Sequence, residues 1–327
     1  MQACVECGSE SISYNSCRNR HCPKCQQTNK ERWILARESE LLPVPYYHMV
    51  FTLPHCFNDL LPKYAKEVYA TLFKATWQTI QAFASDPKYL GAKTGMVAIL
   101  HTWGQQLWLH PHVHCIVPGG GITKSSKWKH GKHAGKYLFP KRAMSIVFRA
   151  KFMAMLRKEL KIPQSIGKKA FEKKWVVYAK RPFASPKTVV EYLGRYTHKV
   201  AISNHRLTQV NNNGVKFNYK DYRDIGQQKE VTLQGTEFLR RFSAHILPSG
   251  FVRIRHYGFL ASKNKASELN IAKAELKQPK WQKQKYSWIE ICQQQLGYNP
   301  EACVHCGADK VVIMRIILPE RGPPFTK

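Results

Sequence analysis

"LHPHVHCIVPGGG", residues Leu109–Gly121, sets three histidines at alternate positions in an apolar run and then three glycines in a row. On a strand, residues i and i+2 share a face, so His112 and His114 project together while Val113 turns the other way. Two imidazoles at that separation hold one divalent ion and leave positions for a third ligand, water and a substrate oxygen. His101 and Gln105, from the preceding strand, and His110, on the same parity, are all candidates for the third position. The glycines Gly119–Gly121 read either as a strand-end turn or as a gap in the side-chain wall that admits a nucleic-acid backbone beside the metal. The second reading is the expectation carried forward.

Working outward, "GMVAILHTWGQQ" predicts a strand from Met96 to about Trp103 that pairs antiparallel with the histidine strand, His112 to Val117. "YYHMVFTLP" (Tyr46–Pro54) and "KKWVVYAKRPF" read as further strands, as do "KVAIS", "GVKFNYKDY", "KEVTLQG" and "GFVRIRHYGFL". Helical periodicity marks about 30–41, 57–84, 143–160 and 237–244, and a helix starts at Ser185-Pro186, serine capping and proline suiting the first helical position. "ITKSSKWKHGKHAGK", from Ile122 to Lys136, reads as a mobile basic loop. Strands and helices mix without a regular β-α-β rhythm, a Gly-x-Gly-x-x-Gly turn or an evident internal repeat. The expected class is therefore α+β around an antiparallel sheet. Three regions are expected: a zinc-binding domain at 1–40, a catalytic domain at 41–261, and a basic C-terminal region at 262–327.

The charge balance narrows the function. The 327 residues carry 52 Lys plus Arg against 21 Asp plus Glu, a formal net charge of +31. Such an excess opposes the compact state unless a polyanion screens it, and nucleic acid is the expected partner. No apolar run reaches the ~18 residues of a membrane span, and no signal-peptide core opens the chain, so a cytoplasmic, nucleoid-associated protein is expected.

In a reducing compartment, paired cysteines at short spacing read as metal ligands rather than disulfides. Cys4-x-x-Cys7 and Cys22-x-x-Cys25 are expected to close one tetrahedral thiolate cage around structural zinc. Cys17 and His21 lie between the knuckles as substitute or supporting groups. The cage is read as a folding staple that presents Arg18, Arg20 and Lys24 to DNA. The C-terminal Cys303-x-x-Cys306 is half a knuckle with Cys292 and His305 as nearest helpers, and no complete site is expected there.

The second constellation is "VVEYLGRYTHK", Val189–Lys199. Tyr192 and Tyr196 lie four apart on one helix face. Gly194 between them costs roughly 1 kcal/mol relative to alanine, which is poor design unless something approaches closely there. Arg195, His198 and Lys199 add positive charge. A tyrosine hydroxyl is a usable nucleophile where cations or a metal-polarised phosphate stand nearby. Clustered carboxylates for two-metal chemistry are absent around the histidines.

"FTLP", "LHTWGQQLWLHPHVHCIVPGGG", "YLGRYTHKVAISNHRL" and "LPSGFVRIRHYGFLA" together resemble the two-tyrosine HUH transposases of rolling-circle insertion sequences, the family typified by insertion sequence 91. "YNSCRNRHCPKCQ" is similar to that family's zinc-binding domain. The resemblance implies an HUH-type antiparallel sheet with flanking helices, a divalent cation (magnesium or manganese) at His112 and His114, and catalytic Tyr192 and Tyr196. It implies nicking and joining of single-stranded DNA at element ends and targets through 5′-phosphotyrosine links. Arg195, Lys199 and Trp128 are the expected DNA contacts, Trp128 by stacking on unpaired bases. Members of the family it resembles usually carry a helical segment before the zinc cysteines, so a start at Met1 reads as a truncated or alternatively started copy. The alternatives are a rolling-circle replication initiator or relaxase, or a zinc-dependent DNA-binding protein without catalysis.

Overall fold

The computed structural model describes residues 1–317 except 14–16, 18, 134, 184, 186, 187, 191, 193, 195–199 and 223. In chain order its strands are β1 (Gln2–Cys4), β2 (Glu10–Ser11), β3 (Tyr46–Thr52), β4 (Gly95–Trp103), β5 (Leu109–Pro118), β6 (Gly120–Ile122), β7 (Trp128–His130), β8 (Val176–Ala179), β9 (Leu207–Asn211), β10 (Gly214–Asp221), β11 (Gln227–Leu233), β12 (Ile254–Gly258) and β13 (Val311–Ile313). The main helices are α1 (Pro23–Glu38), α2 (Leu61–Ser85), α3 (Lys141–Glu159), α4 (Gln164–Glu172), α5 (Gly235–Ser243) and α6 (Lys265–Glu275). The class is α+β, as expected.

The central sheet has five antiparallel strands in the order β12-β4-β5-β3-β8. Strand parity sorts its side chains. Tyr47, Met49 and Phe51, Met96, Ala98 and Leu100, and Val113, Cys115 and Val117 share the core with Leu72, Phe73 and Ile80 of α2 and Phe148 and Phe152 of α3. Each large apolar side chain buried there stabilises the fold by roughly 1.5–3 kcal/mol. The opposite parity supplies Tyr46, Val97, Ile99 and Ile116 to a second core with Val189, Phe259, Leu269 and Ala272. Both faces of β5 are covered, which explains a strand apolar at both parities. The histidines His48, His101, His112 and His114 have the parity of the second face.

Several expectations are corrected. α1 starts at Pro23 rather than near Lys30, because Cys22 is extended at the N-cap and Pro23 takes the first helical turn. "KVAIS" is not a strand: Val200 lies outside any ladder, and Ala201 and Ile202 pack on Leu107, Val215 and Phe217 instead. The basic loop contains the β6–β7 hairpin. Within it Trp128 is half-buried and packs on Phe259, ring centroids 5.9 Å apart. The three glycines open no gap to solvent. All are buried, and the chain itself occupies the space: an added Cβ would sit 2.8 Å from the Pro45 carbonyl oxygen at Gly119, 2.5 Å from that of Lys129 at Gly120, and 2.6 Å from that of Lys93 at Gly121. The segment after Ser262 also joins the fold. Leu269 and Ala272 of α6 are core residues, and Lys265 Nζ lies 2.8 Å from Glu40 Oε1 in a buried ion pair.

Candidate active site and metal centres

The cluster is built by register. β4 and β5 place His101 directly opposite His112, with His114 opposite Ile99. His101, His112 and His114 form a group whose ligand nitrogens all lie within 4.8 Å of one another. The ring centroids are 5.4 Å (His101–His112), 4.6 Å (His101–His114) and 4.9 Å (His112–His114) apart. Of the three candidates for the third position, the structure brings His101 into the group. Gln105 is directed elsewhere, its Oε1 accepting from the Lys220 amide at 3.5 Å. His110 lies beside His112, ring centroids 5.1 Å apart, but outside the cluster.

The supporting contacts suit ligation. His112 Nδ1 donates to the His110 carbonyl at 2.5 Å, which leaves Nε2 available. His114 Nδ1 shares a 2.9 Å hydrogen bond with His48 Nε2, and a proton on that Nδ1 leaves His114 Nε2 available. Burial, reinforced by the charges of Lys180 and His112, holds His48 down at about 4. Burial likewise holds His112 at about 4, against the opposing hydrogen bond to His110. Neutral imidazole is the metal-binding form, so the donor set fits a divalent cation.

Tyr192 approaches His48, the neighbour of His114, from the helix that follows Ser185. Ser185 acts as the expected cap, its Oγ accepting from the Thr188 amide at 3.3 Å. Residues 188–190, 192 and 194 are helical. The Tyr192 ring meets His48 edge-on at 5.2 Å and Phe183 at 5.2 Å, with Lys180 Nζ 5.6 Å from its centroid. Gly194 is buried because α1 crosses there: an added Cβ would lie 2.4 Å from Ile34 Cδ1. The close approach implied by a mid-helix glycine is thus made by the protein's own N-terminal helix. Tyr196, Arg195 and Lys199, like His198 and Arg18, lie outside the described residues. His48 and Lys180 enter the site only through the fold. The signal for His48 was one imidazole in the otherwise apolar "YYHMVFT", on the second-face parity.

The cysteines assemble differently from the expected single cage. Cys4 and Cys7 group with Cys303 and Cys306, while Cys22 and Cys25 group with Cys17. Cys17 Sγ and Cys25 Sγ are 3.5 Å apart. Arg20, expected at the DNA surface, donates from Nη1 to the Phe251 carbonyl at 3.3 Å.

Residues 95–268 match the family profile described as "Putative transposase", more than half of the chain, and residues 1–53 match the transposase zinc-binding domain of the insertion sequence 91 type. The chain is 38% identical to "Putative transposase y4qJ" of Sinorhizobium fredii (strain NBRC 101917 / NGR234), over 99% of its own length and 86% of the relative's. The chain belongs to the transposase family of insertion sequence 91. This transposase is also 28% identical to the transposase for insertion sequence element IS801 of Pseudomonas savastanoi pv. phaseolicola, over 93% of its own length and 77% of the relative's. No solved structure matches it. Family membership makes the transposase a DNA-acting enzyme with a zinc-binding domain, and among its described residues no helix is long and apolar enough to cross a membrane.

Proposed function

We propose that the transposase cleaves and rejoins single-stranded DNA at element ends and targets, by a rolling-circle route through 5′-phosphotyrosine links. The observation that carries this reading is the contact chain Tyr192–His48–His114, which sets a phenol beside the three-histidine cluster. A divalent cation held by His101, His112 and His114 would polarise the scissile phosphate. Tyr192 or Tyr196 attacks phosphorus in line, the P–O3′ bond breaks, and the 3′-hydroxyl leaves with a proton. The bond energy stays in the phosphotyrosine link, so rejoining needs no nucleotide cofactor. Lys180 lies beside Tyr192 and, with Arg195 and Lys199, supplies positive charge to an anionic transition state. His48 fixes the orientation of His114 rather than touching DNA. The working site is the bacterial cytoplasm, on the nucleoid.

The test uses labelled single-stranded DNA carrying element ends, with magnesium or manganese, resolved on a denaturing gel. The reading expects a covalent adduct that disappears in the Tyr192→Phe/Tyr196→Phe double variant. It also expects His101→Ala to abolish the adduct while sparing most DNA binding. An adduct that persists in the double phenylalanine variant refutes the tyrosine assignment. Binding that falls in step with cleavage in His101→Ala makes the histidines structural.

A further inference from the structure

The two ends of the chain carry near-identical hexapeptides, "ACVECG" at Ala3–Gly8 and "ACVHCG" at Ala302–Gly307. They fold alike. The Gly8 amide donates to the Cys4 carbonyl at 3.0 Å, and the Gly307 amide to the Cys303 carbonyl at 2.9 Å. The Cys4 amide donates to the Ser9 carbonyl at 3.0 Å, and the Cys303 amide to that of Ala308 at 2.7 Å. Gly8 and Gly307 both adopt left-handed backbone, φ 67° and 76°. In each copy the first cysteine is buried and the second exposed. The copies meet across β1 and β13, which pair antiparallel with Gln2 opposite Ile313 and Cys4 opposite Val311.

This near-twofold arrangement sets the first cysteine of each copy against the second of the other. Cys4 Sγ lies 3.6 Å from Cys306 Sγ, and Cys7 Sγ lies 3.7 Å from Cys303 Sγ. Four thiolates at ~2.3 Å from one zinc ion have edges of about 3.8 Å. A disulfide would bring sulfurs to about 2.05 Å. All four Sγ atoms lie within 4.8 Å of one another.

We propose that Cys303 and Cys306 complete, with Cys4 and Cys7, a closed tetrathiolate site for zinc that ties the two ends of the chain together, separate from the Cys17, Cys22 and Cys25 group. Burial alone is a weak tie here: Val5, Val304 and Ile313 around the cysteines are 63%, 83% and 75% exposed. Small units of this kind take their folding free energy from the metal. Four sulfur donors leave no open position, so the role is structural rather than catalytic. The site stands independently of any role for the histidine cluster.

The test uses the full chain purified anaerobically with zinc, with metal content measured per chain and thiol alkylation mapped by mass spectrometry. Cys303→Ser/Cys306→Ser is expected to lose one metal equivalent relative to wild type. Cys4→Ser/Cys7→Ser is expected to lose that same equivalent, so the fourfold variant loses no more than either double variant. Unchanged metal content in the C-terminal double variant, or losses that add, overturns the proposal. Should a variant unfold and lose further metal, alkylation of the unmutated chain decides. Cys303 and Cys306 are then expected to resist alkylation while metal is bound and to become reactive together with Cys4 and Cys7 on chelation. Free alkylation of Cys303 and Cys306 in the metal-loaded chain overturns the site.

Discussion

Gly194→Ala tests the link between the N-terminal helix and the tyrosine helix. The added Cβ would lie 2.4 Å from Ile34 Cδ1, 2.9 Å from Ile34 Cγ1 and 3.3 Å from Lys30 Cε. Ordinary carbon contacts are about 3.5–4.0 Å, so something must retreat by roughly 1 Å. Ile34 is itself buried, at 6% exposure, and has little room to change rotamer. Alanine gains about 1 kcal/mol of helix propensity over glycine. Overpacking costs about 1–3 kcal/mol, so the net expectation is a destabilisation of about 0–2 kcal/mol. The functional loss should be larger, because a ~1 Å misplacement of a reacting group can cost about 100-fold in rate. The assay pairs denaturant unfolding with the rate of covalent adduct formation. Ile34→Ala in the same chain reopens the space, so the double variant should recover most of the rate and show a favourable coupling of at least about 1 kcal/mol. A Gly194→Ala variant that is about 1 kcal/mol more stable and cleaves normally would refute the contact. So would a double variant whose losses simply add.

Three further expectations follow from the same geometry. Glu40→Ala strands Lys265 and Arg37, which lie 2.8 and 2.7 Å from Glu40 Oε1, and should cost about 3–5 kcal/mol; the unfolding midpoint reads this, and a change under about 1 kcal/mol would show that the pair is solvated. Burial holds His245 at about 4 and His256 at about 3, below the ordinary 6.5. The unfolded chain therefore binds more protons below about pH 6.5, and stability should fall as pH drops from about 6.5 toward 4.5, by up to about 1.4 kcal/mol per pH unit for each group; equal denaturant midpoints at the two pH values would contradict this. DNA binding should lose about a thousandfold in affinity between about 50 and 200 mM salt if six or more phosphates are neutralised, and a flat filter-binding response would remove the basic surface as the DNA track.

Much of the fold was legible because β3, β4 and β5 carry their own period and are bounded by prolines and glycines. The His112–His114 pair followed from parity alone. His101 needed more, since register with a neighbouring strand decides which of several polar groups faces the pair. α4 escaped notice because its nine residues bury only Ile166 and Ala170. "KVAIS" misled because an apolar, β-branched run also fits a buried segment without ladder partners. The glycine triplet was read for an outside ligand, whereas the Pro45, Lys93 and Lys129 carbonyls explain it. The cysteine grouping failed for a different reason. Nearest-in-sequence pairing put Cys4 with Cys22, but strand pairing between the ends brings in a partner 302 residues away.

That end-to-end pairing bears on how the chain is made. β1 is made roughly 300 residues ahead of β13, one of its two neighbours. At about 5–20 residues per second, roughly 15–60 s separate the two. Throughout that interval one edge of β1 stays unpaired and the thiols of Cys4 and Cys7 lack their C-terminal counterparts. A polypeptide that stops short of Cys303 therefore keeps Cys4 and Cys7 without the two cysteines that gather around them, which distinguishes it from the closed fold.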